Sequence, residues 1–98
     1  MDYQKLVLVG NVTRDAERRT SQQGDVTYTV FSVGVGDSRG RSTFFPVRVF
    51  GKQGEAIADY LPKGRQVLVE GRISVNDEGR FNVIADRVVF GTAPQEAE

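Results

Sequence analysis

Five runs of β-branched and aromatic residues, each ended by a turn signal, leave this 98-residue chain room for one short helix. The runs cover 5–12, 26–35, 42–50, 66–75 and 80–90, and such stretches read as strands. Residues 5–12 are apolar on both alternating sets, as in a strand covered on two sides, and Gly10 marks a bend or bulge within it. The segment from Thr13 to Gly24 is polar and carries Arg14, Arg18 and Arg19. It reads as a connection that closes in the turn-prone Gln23-Gly24-Asp25. Residues 53–61 are the one helix candidate. Ala56, Ile57, Tyr60 and Leu61 recur there at helical spacing, Glu55 sits near the start, where a helix dipole favours it, and Pro62-Lys63-Gly64 stops it.

Three strands, a helix and two strands form an all-β order with no helix between most strand pairs. A parallel α/β sheet would need those helices. The order is that of a five-stranded OB-fold barrel with one short helix between strands three and four. Such barrels commonly bind oligonucleotides or oligosaccharides on the face of strands two and three.

Composition removes several classes of function. The chain has no cysteine and no histidine. That excludes disulfides, thiolate metal sites and the commonest general base and zinc ligand. No metal and no cofactor is expected. Gly34 to Gly40 has one residue too many for a dinucleotide fingerprint and precedes a strand. Gly51-Lys52 lacks the spacing and the following hydroxyl of a nucleotide-binding loop. A non-enzymatic protein follows. No apolar run approaches the roughly 20 residues of a membrane span, and the N-terminus has no signal-peptide pattern. A cytoplasmic protein is expected, with no membrane partner. Thirteen basic and thirteen acidic residues cancel, so any affinity for a polyanion must come from local excess.

The third strand carries the best candidate surface. Side chains two apart share a face. Phe45, Val47 and Val49 form one set and belong to the core. Phe44, Pro46, Arg48 and Phe50 form the other, with a guanidinium between two rings. Pro46 cannot donate to a ladder, so its amide position faces an edge or gap. Bases stack on exposed aromatic rings whatever their sequence, and Arg48 can pair with phosphate. Arg39 and Arg41 precede this strand, and Lys52 follows it. On strand four, Arg72 shares a face with Leu68 and Glu70, opposite Val67, Val69 and Ile73. Arg80 opens strand five. On strand one, Leu6, Leu8 and Val12 can line the core while Val7 and Val9 point outward. Leu6, Val7 and Val9 therefore mark the expected oligomer contact.

Several segments together resemble the bacterial and mitochondrial single-stranded DNA-binding proteins. They are Leu6-Val7-Leu8-Val9-Gly10-Asn11-Val12-Thr13-Arg14-Asp15, Phe31-Ser32-Val33-Gly34-Val35, and Val49-Phe50-Gly51-Lys52. Ala58-Asp59-Tyr60-Leu61, Lys63-Gly64, Val67-Leu68-Val69-Glu70-Gly71-Arg72 and Ala85-Asp86-Arg87-Val88 complete the set. The resemblance spans residues 5–90. It implies an OB-fold single-stranded DNA-binding domain over 1–90, with a short flexible tail over 91–98. It also implies a homotetramer, occasionally a dimer, that binds single-stranded DNA without sequence preference in replication, recombination and repair, at the nucleoid. Phe44 and Phe50 fall at the family's stacking positions. Tyr60, Lys52 and Lys63 fall near its DNA path.

The chain also departs from that pattern. It has no tryptophan, its loop at 36–41 carries no aromatic, and Ser74 and Asn76 stand where cations are common. Weaker binding and a smaller footprint are expected. Glu96 and Glu98 do not reproduce the acidic tip through which family members recruit replication and repair proteins, which leaves such partners open. Two alternatives stay open beside this reading: a replication-restart accessory OB protein, and an OB-fold interaction module without strong DNA binding.

Overall fold

The computed structural model describes residues 1–21, 24, 26–59 and 61–91. The described elements are β1 (Leu6–Val12), β2 (Glu17–Thr20), β3 (Thr27–Gly36), β4 (Ser42–Phe50), α1 (Gly51–Ala58), β5 (Gln66–Val75) and β6 (Phe81–Phe90). The five long strands are the expected five, and the helix lies between the third and fourth of them. The sheet runs β1-β5-β6-β4-β3-β2 and closes where β1 also pairs with β3. This is the OB-fold barrel anticipated from the strand order.

Closure is made by β1 changing partners. All but its last residue pairs with β5, from Leu6 opposite Gly71 to Asn11 opposite Gln66. Its last two residues also pair with β3, Asn11 opposite Gly34 and Val12 opposite Val33. At Gly10 a side chain would run into the Gly34 carbonyl oxygen and lie 3.0 Å from Val33 Cγ1. Gly10 is therefore a point of close backbone approach in a continuous ladder, not the bulge the sequence offered as one option. The one irregularity of the β5–β6 ladder falls at Glu70 and Gly71, whose partners are Arg87 and Ala85. Asp86 is left as an extra residue that bends β6 around the barrel.

The core fills the inside of this tube. Val33, Val49, Val67, Val69 and Val83 are inaccessible to solvent, and Leu8, Val12, Phe31 and Val47 are nearly so. Each contributes about 1.5–3 kcal/mol by leaving water. Ile57 of α1 and Leu61 plug one end. There the buried Thr29 hydroxyl donates to the Gly54 carbonyl at 2.6 Å, tying the helix to β3.

Five expectations need correction. The polar segment 13–24 contains the strand β2, which pairs with β3 from Glu17 opposite Val30 to Thr20 opposite Thr27. All four of its residues are exposed, so no apolar alternation announces it. The helix starts at Gly51 rather than 53, because Gly51 adopts a φ of 75° that turns the chain out of β4 directly into α1. No acidic residue lies in its first turn, so Glu55 gains nothing from the dipole there. Ala56 is exposed, and the helix buries Gly54 beside the expected Ile57. Finally, Ile73 is 39% exposed, unlike Val67 and Val69. The β5–β6 hairpin extends beyond the last β1–β5 pair at Gly71. There the Gln4 side chain continues the ladder, bonding both backbone groups of Ile73.

Replacing Gly10 with alanine should test closure directly. The added methyl has backbone on its only open side, and such overpacking costs about 1–3 kcal/mol. The expected result is a drop in Tm of several degrees (about 4–8 °C per kcal/mol at this size) by differential scanning calorimetry. An unchanged Tm would mean that the close approach is not a constraint.

Candidate nucleic-acid interface

In a closed barrel, every side chain that does not point into the core points to solvent. On β4, Val47 and Val49 are buried and Phe45 packs against the core, while Phe44 and Phe50 remain 60% and 41% exposed. Pro46 is exposed and lies one residue before the short parallel ladder to β6, which joins Val47 to Val83 and Arg48 to Ile84.

Pairing extends this face across the sheet, because paired residues share a side. Phe50 stands opposite Tyr28, Arg48 opposite Val30, Pro46 opposite Ser32, and Phe44 opposite Gly34. The Tyr28 and Phe50 rings meet with centroids 5.3 Å apart at 40°. The Arg48 guanidinium lies over the Tyr28 ring, 5.3 Å from its centroid. At the other end the Phe44 ring rests on Gly34, where a side chain would come within 3.3 Å of it. The two phenyl rings are six residues apart on one strand, roughly 20 Å. They can stack two bases of one strand, but not adjacent ones.

Between them lies a pocket of about 220 Å³. Phe44, Arg48 and Ser32 bound it from β3 and β4, Arg14 and Arg19 from the β1–β2 side, and Asn82 from β6. Asp15 and Glu17 also line it. Glu17 pairs with Arg19 at 3.2 Å, and Asp15 Oδ1 accepts the Lys63 backbone N–H at 2.8 Å.

The other predicted cations are spread around this face. Arg39 and Arg41 sit in the β3–β4 hairpin, where their backbone N–H groups donate to Asp37 Oδ1. Arg80 sits in the β5–β6 hairpin, held the same way by Asn76, and its side chain lies 4.0 Å from Glu78. Both hairpins leave the same end of the barrel, since β4 and β6 run parallel. Arg72 lies two strands from Arg48 through Ile84 and pairs with Asp86 at 3.4 Å. Lys52 is exposed in the first turn of α1, and Lys63 is exposed before β5. Tyr60 lies outside the described residues. Glu70, which the sequence placed beside Arg72, is instead held by Lys5 at 3.3 Å and Arg87 at 3.9 Å. Among the described residues, no three metal-ligating side chains come together, and no helix is long and apolar enough to cross a membrane.

Sequence reasoning missed Tyr28, Arg14, Arg19 and Asn82. Tyr28 was accessible by the parity argument, because it shares a face with Val30 and Ser32. Arg14, Arg19 and Asn82 arrive only through strand pairing.

The Tyr28–Arg48 contact should be measurable. A double-mutant cycle of Tyr28→Leu and Arg48→Met, followed by urea unfolding, should give a coupling of about 0.5–1 kcal/mol. Zero coupling would remove this contact as the element that orients the guanidinium.

Comparison with known proteins agrees with this geometry. Residues 3–88 match the model of the single-strand binding protein family. A single-stranded DNA-binding protein of Fusobacterium nucleatum is 36% identical over 103 residues, covering 90% of this chain and 66% of the relative. One from Treponema pallidum is 39% identical over 79 residues, covering 74% of this chain and 44% of the relative. This chain spans about half the length of the first such relatives, 47% for that of Helicobacter hepaticus. A crystal structure of a deletion mutant of the single-stranded DNA-binding protein from Thermus aquaticus superposes with a TM-score of 0.76 at 30% identity, covering 96% of this chain and 43% of that one. The SSB domain of a Synechococcus protein shares the fold at 18% identity, with a TM-score of 0.76 over 90% of this chain and 96% of that one. The family is one of binding proteins, as the absence of a catalytic constellation in the sequence anticipated. The chain belongs to the single-strand binding protein family.

Proposed function

We propose that the chain binds single-stranded DNA, with bases stacked on Phe44 and Phe50 and phosphates met by Arg48 and the surrounding cations Arg39, Arg41, Lys52, Lys63, Arg72 and Arg80. Tyr60 joins the set from the family resemblance. The observation that carries the reading is the exposure of both rings on the outer face of a barrel whose core is already filled. The names of the relatives support the same ligand.

The protein acts as a homo-oligomer, a tetramer in the form the resemblance implies, in the cytoplasm during replication, recombination and repair. Val7 and Val9 support an oligomer contact, being 52% and 51% exposed. Leu6 is half-buried and packs against the core, so it borders that contact. Val9 aligns across the sheet with Leu68 and then Val89, which extends an apolar face over three strands.

Titration of labelled oligo-dT, followed by anisotropy beside duplex DNA, tests the ligand. Affinity for the single strand should exceed that for duplex and fall with salt, by a logarithmic slope of about 0.7 per phosphate neutralised. Phe44→Ala should lose about 1–3 kcal/mol of binding, and an unchanged affinity would take Phe44 out of the site. No response at low salt and micromolar protein would favour an interaction module instead. For the assembly, Val9→Glu puts a charge into the apolar face. It should lower the mass measured by light scattering, and an unaltered mass would move the contact elsewhere.

A further inference from the structure

We propose that the pocket beside Phe44 reads one base of the bound strand and favours guanine, a preference at a single nucleotide laid over a platform otherwise indifferent to sequence. The inference rests on the single-strand binding reading and deepens it.

Size comes first. At about 220 Å³ the pocket is smaller than the roughly 300–1,000 Å³ of clefts for drug-sized ligands, so it admits one heterocycle edge and not a whole nucleotide. Its chemistry is mixed. Arg14, Arg19 and Arg48 bring donors to the lining, Asp15 and Glu17 bring acceptors, and Asn82 brings both. A site for phosphate alone would gain from the guanidinium groups and lose from the two carboxylates, which repel an anion. A base edge with acceptors and donors side by side uses both kinds of group.

The groups keep capacity to bond. Among the described residues Arg14 forms no ion pair and retains its five donors. Asp15 spends Oδ1 on the Lys63 N–H, and a carboxylate has two oxygens with about four acceptor sites. The Phe44 ring, resting beside Gly34, forms the rim over which a stacked base projects its edge. Guanine is the base that matches the lining best. Its Watson–Crick edge sets the O6 acceptor, which takes a guanidinium, beside the N1–H and amino donors, which face a carboxylate. Adenine offers no O6, and the pyrimidines offer a shorter edge.

The test compares short oligo-dT strands that carry one central guanine, adenine or cytosine with oligo-dT itself, by anisotropy at fixed salt. The guanine strand should bind about fivefold or more tightly than the others, the lower end for one good bidentate pair. Arg14→Met and Asp15→Asn should each bring that ratio to about one. Asp15→Asn keeps an acceptor for Lys63, so the loop stays held. Equal affinity for all four strands in the wild-type protein, with oligo-dT still bound, would overturn the pocket and leave the single-strand reading standing. If Arg14→Met instead weakened all strands alike and reduced the salt slope by about one phosphate, the pocket would be a phosphate contact and the guanine reading would fail. If no strand bound, both readings would fall together.

Discussion

Everything on the outside of this molecule follows from β1 crossing from β5 to β3. The crossing needs backbone against backbone at Gly10 and Gly34, and it turns a twisted sheet into a tube. A closed barrel has no free edge between its first and last strands, and its inside is a single small core. Once valines from all five long strands have filled that core, the other half of each strand has nowhere to go but outward. The exposure of Phe44 and Phe50 is a consequence of closure and not a separate feature.

The same geometry explains how a chain of zero net charge can favour an anionic ligand on one side. Among the described residues, several of its acidic groups are engaged. Glu70 is held by Lys5 and Arg87, Asp86 by Arg72, and Asp59 by Arg18. The Asp37 carboxylate holds its own hairpin by accepting two backbone N–H groups. Arg14 and Arg48 have no carboxylate partner among the described residues. Arg48 rests on Tyr28, which orients the guanidinium without neutralising it. Exposed ion pairs are worth little, so a polyanion can also recruit Arg72 or Arg80 from theirs.

Much of the fold was legible because period-two patterning is a strong signal. It placed the five long strands, put Val47 and Val49 inside and left Phe44, Arg48 and Phe50 outside. It was blind to β2, whose residues Glu17-Arg18-Arg19-Thr20 show no alternation. That segment is a strand only because the outer edge of β3 offers it a ladder, and because Arg18 ties it to the end of α1 through the Glu55 carbonyl and Asp59. The helix boundary was misread for a related reason. Gly51 looks like a break between elements, whereas its left-handed φ is the joint itself. Ile73 was misplaced because parity says which way a side chain points, not whether anything stands there to cover it.

The sequence by itself determined which segments are the five long strands, which side of each faces the core, and hence the pair of rings flanking a guanidinium on β4. Those properties depend on residues two apart, and local periodicity carries them. Only the tertiary structure decided what stands next to those rings. Arg14, Arg19 and Asn82 come from three other segments, and they meet Phe44 because the barrel closes with one register. Proximity of that kind depends on strand order and stagger over long chain separations, and no local pattern encodes it.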